Sequence, residues 1–283
     1  FTNRRQFLGS LGGGLITLQA HGFAEEAQED LIYLLNDTHI GEKHPPASSV
    51  PMNLKQVVRE LTGLKQKPVA TIINGDLALK DGQDGDYRHF AEIISPLHEA
   101  RVSLHLTLGN HDNRDAFYRI MKEEQPKIPL VKSRHISMVA TRHANFFLLD
   151  SLQKTMVTQG TLGKTQTTWL TKALDAHPNK PAIIVAHHNP RLGGDPAHFP
   201  GGLIDSKELW AVLSPRRQVK AYIHGHIHDR TYRHEGIHII NAPATSYVAD
   251  RKLSTTGWTV LKLTSRNVTL TTRTNAPDHP WNN

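Results

Sequence analysis

The sequence predicts an α/β protein, and three observations carry the prediction. Short apolar runs alternate with stretches of helical period. This strand–helix rhythm repeats three times in the first half of the chain, as in βαβ units. Each strand-like run ends in a polar tip rich in Asp, Asn or His, and in α/β sheets ligands bind outside the carboxyl ends of the strands.

The elements follow in order. Residues 31–35 (Leu31-Ile32-Tyr33-Leu34-Leu35) form a continuous apolar run, read as a buried strand, and lead into Asn36-Asp37-Thr38-His39. Residues 42–51, with three prolines and two serines, read as a loop. Asn53 is placed to cap a helix running to about Gln66, with Leu54, Val57, Val58, Leu61 and Leu64 on one stripe and Pro68 breaking it. Residues 69–73 form the next strand and end in Asn74-Gly75-Asp76. A helix over 87–100 precedes a third strand over 103–108, which ends in Gly109-Asn110-His111-Asp112, and a helix over 115–122 follows. Residues 135–141 and 145–149 read as paired strands. Residues 165–175 read as a helix burying Trp169, Leu170 and Leu174. The run 181–186 is a strand ending in His187-His188-Asn189-Pro190, beside a glycine- and proline-rich loop over 190–202. A helix over 205–213 leads to the strand 219–223 and then to His224-Gly225-His226-Ile227-His228. Residues 237–240, 258–263 and 268–272 read as antiparallel strands. One domain is expected over residues 30–273, with 274–283 a disordered tail.

Composition narrows the chemistry. Hydrophobic residues at 38% and charged residues at 21% are ordinary for a globular chain. There is no cysteine, which excludes disulfides, thiolate metal sites and cysteine nucleophiles. Any metal must be held by His, Asp, Glu, Asn or backbone oxygen. The formal charge of +7 is spread along the chain without a Lys/Arg run, so no nucleic-acid partner is expected. Residues 1–24 have the layout of an export signal: Arg4-Arg5 before Phe7-Leu8, a weakly apolar glycine-rich run too short to span a membrane, then Gly22-Phe23-Ala24. The Arg-Arg-x-Phe-Leu core resembles a twin-arginine signal, which implies a periplasmic or secreted protein and the twin-arginine translocase as a partner during export.

His226 and His228 stand two apart after a strand. On extended backbone, residues i and i+2 point to one side, so both imidazoles can meet one ion. In a chain with 19 histidines a surface loop explains the pair equally well. What decides is repetition: five strand tips carry Asp37/His39, Asp76, Asn110/His111, His187/His188 and His226/His228.

The ordered set Asp37-x-His39, Gly75-Asp76, Gly109-Asn110-His111-Asp112, His187 and Gly225-His226-x-His228 resembles the calcineurin-like metallophosphoesterase family. The resemblance implies a four-layer α/β/β/α sandwich of two mixed sheets flanked by helices, with a dinuclear metal centre at the sheet edge. It implies that Asp37, His39 and His228 hold one ion, that Asn110, His187 and His226 hold a second, and that Asp76 bridges them. It also implies that His111 contacts the phosphate or protonates the leaving group. Asp112 follows His111 and is expected to fix its tautomer from behind. His188 is a candidate substrate contact. His224 has no assigned role.

Residue chemistry agrees with this picture. Two divalent ions less two aspartates leave a formal charge of roughly +2, suited to a phosphate ester. Histidine and oxygen ligands suit Zn, Mn or Fe. Leu77-Ala78-Leu79 after Asp76 carries neither the tyrosine of purple acid phosphatases nor the Asp-Arg-Gly of protein phosphatases. Asp112 in place of glutamate resembles the cyclic-nucleotide phosphodiesterase and glycerophosphodiesterase branch, although Asn189 stands where that branch often has proline. The expected function is hydrolysis of a small-molecule phosphodiester, or a monoester, by attack of a metal-bound hydroxide. The alternatives are a nuclease of the same chemistry and a non-catalytic metal- or phosphate-binding protein.

Overall fold

The computed structural model describes residues 29–45, 47–192, 201–248 and 254–282. The export-signal residues 1–24 and most of the 190–202 loop lie outside the described residues. In chain order the elements are β1 (Asp30–Asn36), α1 (Ser49–Gly63), β2 (Ala70–Asn74), α2 (Asp84–Glu99), β3 (Leu104–Thr107), α3 (Arg114–Ile120), β4 (Ser137–Ala140), β5 (Asn145–Leu148), α4 (Gly163–Asp175), β6 (Ala182–Val185), α5 (Ser206–Leu213), β7 (Val219–His224), β8 (Thr231–His234), β9 (His238–Asn241), β10 (Gly257–Leu263) and β11 (Val268–Thr274).

Two mixed sheets form, ordered β11-β10-β1-β2-β3 and β4-β5-β6-β7-β9-β8. The five strands with functional tips lie among the parallel ones, β1, β2 and β3 in the first sheet and β6 and β7 in the second. The strand period of two sorts the core. Leu31, Tyr33 and Leu35 face α1 and α2, where they meet Leu54, Val57, Phe90 and Ile94. Ile32 and Leu34 face the other sheet and meet Phe146, Leu148, Ile183 and Ile223. Phe147, Ile184 and Tyr222 face outward onto Leu170, Leu174, Leu209 and Leu213 of α4 and α5. Three apolar layers between four layers of elements make the expected sandwich. Each fully buried Leu, Ile or Phe contributes about 1.5–3 kcal/mol.

Several local expectations are corrected. Helix α1 begins before Asn53: Ser48 caps it, its Oγ accepting from Val50 N at 3.3 Å, and Pro51 falls in the first turn, where a missing N–H costs little. Asn53 instead donates through Nδ2 to the Ser246 carbonyl at 3.0 Å, tying α1 to the loop after β9. Strand β9 joins β7 in parallel, and the antiparallel partner it needs is β8, whose Thr-Tyr-Arg-His sequence has no apolar alternation because it is an exposed edge. On α4 it is Gln166, Leu170 and Leu174 that are buried, while Trp169 is half-buried. The segment expected to be a disordered tail makes hydrogen bonds as far as it is described: Asn275 N donates to the Thr256 carbonyl at 2.9 Å, and Thr274 N donates to Asn282 Oδ1 at 2.8 Å.

Candidate metal centre

All five polar tips meet at one edge of the sandwich, where the carboxyl ends of β1, β2, β3, β6 and β7 adjoin. Asn74 Nδ2 at the end of β2 donates to the Ala186 carbonyl at the end of β6, at 3.1 Å, and so joins the two sheets at this edge. The β7 tip docks on the β1 tip: His226 N lies 3.2 Å from both Asp37 carboxylate oxygens.

The tips are not extended strand. Asp37, His39, Asp76, His226 and His228 all have left-handed backbone, with φ of 50°, 47°, 48°, 69° and 56°. Non-glycine residues seldom adopt this conformation, and such strain concentrates at functional sites. The convergence of His226 and His228 therefore has a different cause from that expected on extended backbone: β7 ends at His224, and two left-handed residues aim the rings. Two glycines make the approach possible. A Cβ on Gly225 would strike the Asp37 carboxylate, and one on Gly75, itself at φ +74°, would strike the His187 ring.

The side chains form two groups. Asp37, His39, Asp76 and His228 bring ligand atoms together in one, and His187, His188 and His226 do so in the other. His39 Nε2 lies 3.1 Å from His228 Nε2, and His228 Nε2 lies 3.2 Å from Asp37 Oδ1. Asp76 reaches both groups through one oxygen: Oδ2 is 3.6 Å from His39 Nε2 and 3.3 Å from His187 Nε2. The structure thus brings together six of the seven sequence-predicted ligands through these groups. The seventh, Asn110, is buried at the same edge.

The donor set fits metal ions. Asp37 and Asp76 are almost wholly buried, and buried carboxylates require compensating positive charge. Asn110 Oδ1, His187 Nε2 and His188 Nε2 are buried without a hydrogen-bond partner. The opposite ring nitrogens are held from behind: His39 Nδ1 faces the Leu79 carbonyl at 3.3 Å, and His187 Nδ1 faces that of Asn74 at 3.2 Å. Both carbonyls accept an Nδ1 proton, which leaves Nε2 of each ring as the atom that faces an ion, the usual support of a ligating histidine.

Charge follows from burial and crowding. Burial holds His39 at about 4 and, with the charge of His187, His226 at about 3, so both are neutral imidazoles at pH 7. Burial would raise Asp76, but His187 and His39 outweigh it and hold the carboxyl well below its usual range. Burial would also lower His187, yet Asp76 and then Asp37 raise it to about 9. In the metal-free protein His187 therefore carries a proton at pH 7, and an incoming ion must displace it. Binding of that ion should strengthen roughly tenfold per pH unit from pH 6 and level off above pH 9, one proton being released. Calorimetry with Mn or Zn at several pH values checks this; an affinity flat between pH 6.5 and 8.5 contradicts it.

His111 stands at the rim, half-buried, its ring 5.0 Å from that of His39. Its backbone N–H donates to Asp76 Oδ1 at 2.8 Å, and its Nδ1 faces the Lys80 carbonyl at 2.7 Å. Asp112 does not touch the His111 ring, contrary to expectation. Its carboxylate turns away and accepts from Leu77 N, Ala78 N, Gly109 N and Tyr87 Oη at 2.8–3.2 Å. Burial and the nearby Asp76 charge raise it to about 7, against the pull of the backbone donors. Asp112 positions the β2 and β3 tips; the His111 tautomer is set by the Lys80 carbonyl. His188, expected at the substrate, is fully buried with Nδ1 2.7 Å from Ser151 Oγ, and groups with His187 and His226. His224 is a buried structural residue whose Nδ1 faces the Gly225 carbonyl at 2.9 Å. Sequence reading missed Ser151, Tyr87 and Tyr247; the Tyr247 ring lies 5.2 Å from His39 and 5.4 Å from His228. Tyr87 and Tyr247 belong to no strand tip, the signal that found the others; Ser151 follows β5, a tip the sequence reading passed over.

Such a sheet edge, crowded with left-handed Asp and His residues, is that of a metallophosphoesterase. Residues 31–230 match the calcineurin-like phosphoesterase family, and the chain belongs to it. Its reaction is the hydrolysis of a phosphoric ester. The 3',5'-cyclic adenosine monophosphate phosphodiesterase CpdA of Vibrio vulnificus is 28% identical over 231 residues, 80% of each chain. The CpdA of Escherichia coli K12 is 31% identical over 201 residues, 70% of this chain and 69% of that one. A "Probable glycerophosphodiester phosphodiesterase GpdQ" of Arcobacter nitrofigilis is 27% identical over 203 residues, 70% of this chain and 71% of that one. Among solved structures, a dimetal phosphatase from Danio rerio shares the fold with a TM-score of 0.67 at 14% identity, over 87% of this chain and 96% of that one.

Proposed function

We propose that this chain is an exported phosphodiesterase that works with two bound metal ions. The observation that carries the reading is Asp76, a buried carboxylate whose one oxygen reaches both groups of ligand atoms. Asp37, His39 and His228 would hold one ion and Asn110, His187 and His226 the other, with Asp76 within reach of both groups. When bound, such a pair activates water as a nucleophile and draws charge from the phosphoryl oxygens.

The remaining work falls to the chain. With Nδ1–H directed at the Lys80 carbonyl, His111 leaves Nε2 as its exchangeable position. Protonated there, it donates to the alcohol oxygen as the P–O bond breaks, so the product leaves as a neutral alcohol. The Asp76 contact to the His111 backbone fixes this residue relative to both ligand groups. Diester substrates are favoured by the cyclic-nucleotide and glycerophosphodiester enzymes among the relatives.

Metal-reconstituted full-length protein should hydrolyse bis(p-nitrophenyl) phosphate faster than p-nitrophenyl phosphate, lose the activity to a chelator and regain it with Mn, Fe or Zn. Failure to turn over any phosphate ester while retaining metal would leave the non-catalytic reading. The +7 charge is the one observation favouring a nuclease, and DNA cleavage with a steep salt dependence would support that. Export rests on Arg4-Arg5-x-Phe7-Leu8. The double variant Arg4→Lys, Arg5→Lys should stay in the cytoplasm on fractionation, and undiminished export of it sinks the twin-arginine reading.

A further inference from the structure

We propose that His188 is a further ligand of the second ion and that it makes this position select zinc over manganese, an inference that rests on the two-ion reading above. The side chain is fully buried, yet its Nε2 has no hydrogen-bond partner. Its ligand atom lies within 4.8 Å of those of His187 and His226. The His188 ring stands 4.9 Å from that of His187 and 4.7 Å from that of His226, centroid to centroid.

A buried ring nitrogen without a partner is costly, and the protein offers this one little else. The Thr158 carbonyl is near enough to act on the ring but closes no hydrogen bond with Nε2. The other nitrogen is engaged: Nδ1 is 2.7 Å from Ser151 Oγ, which also accepts the His188 backbone N–H at 3.3 Å. Ser151 Oγ can accept Nδ1–H in the same way, and Nε2 is then the atom left for an ion. The support behind the ring is firm. The Ser151 carbonyl accepts from Thr161 N at 3.0 Å, and beside it the Arg114 guanidinium grips the Asp150 carboxylate with two bonds of 2.6 and 2.7 Å. Gly160 backs the ring closely, since a Cβ there would lie 2.5 Å from Cγ and Nδ1 of His188. A hydrogen bond to the far nitrogen and a packed ring face are what orient a ligating histidine.

With His188 included, the two ligand groups differ in kind. The first offers two carboxylates, Asp37 and Asp76, and two imidazoles, His39 and His228. The second offers three imidazoles, the Asn110 amide and a share of Asp76. Imidazole suits zinc, whereas carboxylate and carbonyl oxygen suit manganese. His188 is the residue that tips the second position toward nitrogen.

The test uses the full-length chain, crystallised with equal zinc and manganese and titrated with each metal separately. Anomalous maps at the two absorption edges should place zinc beside His187 and His226, about 2.0–2.1 Å from His188 Nε2. Calorimetry on His188→Leu should show zinc affinity at this position reduced about tenfold or more, manganese affinity reduced by much less, and the ion at Asp37, His39 and His228 retained. Ser151→Ala, which removes the contact to Nδ1, should weaken zinc in the same sense and serves as the second variant should His188→Leu fail to fold. Two ions in the wild type with His188 Nε2 beyond bonding distance and turned to the Thr158 carbonyl would overturn this proposal alone. So would zinc and manganese weakened equally in a folded variant. A wild type that takes a single ion would overturn the two-ion reading, and this proposal with it.

Discussion

Asp76→Asn should bind at most one ion per chain and lose about 10³-fold or more in kcat. The size follows from the several kcal/mol that Lewis-acid stabilisation supplies, at 1.4 kcal/mol per factor of ten. The substitution is a clean one. Asparagine tolerates left-handed backbone, so φ of 48° is kept at little cost. The amide oxygen can still accept the His111 backbone N–H that Asp76 Oδ1 accepts at 2.8 Å. What disappears is the negative charge whose oxygen stands between His39 and His187. Metal analysis of the reconstituted variant beside circular dichroism checks this. Two ions retained with wild-type turnover would remove Asp76 from the bridging role.

His111→Ala should separate chemistry from metal binding. The imidazole lies outside both groups of ligand atoms, and the contact to Asp76 is made by backbone, so both ions should stay. Turnover of an ester with an alkyl leaving group should fall by about 10²-fold or more, the scale of general acid catalysis. With p-nitrophenolate, which departs without a proton, the fall should be much smaller. An equal loss for both leaving groups would assign His111 to holding the phosphate rather than donating a proton.

The strand tips were legible because an apolar run that stops abruptly at Asp, Asn or His leaves a one-dimensional mark. The sorting of β1 into two cores by alternate residues was implicit in the same run. How the tips converge was not legible, since left-handed backbone at Asp37 or His228 follows from how neighbouring tips dock and leaves no pattern in composition. Asp112 shows a second limit. Adjacent in sequence to His111, it points the other way, because four donors from the β2 tip, Gly109 and Tyr87 take its carboxylate. Strand β8 was hidden for lack of an apolar face, and Ser48 because prolines around it read as loop. Tyr247 carries no motif and becomes visible only where its ring meets His39.

The division of ligands between two ions is the central claim, and anomalous scattering from crystals of the Mn- or Zn-reconstituted protein tests it most directly. Two peaks about 3.5–4 Å apart are expected, one among Asp37, His39 and His228, the other among Asn110, His187 and His226, with Asp76 between them. A single peak, or an ion held by His226 and His228 together, would contradict it.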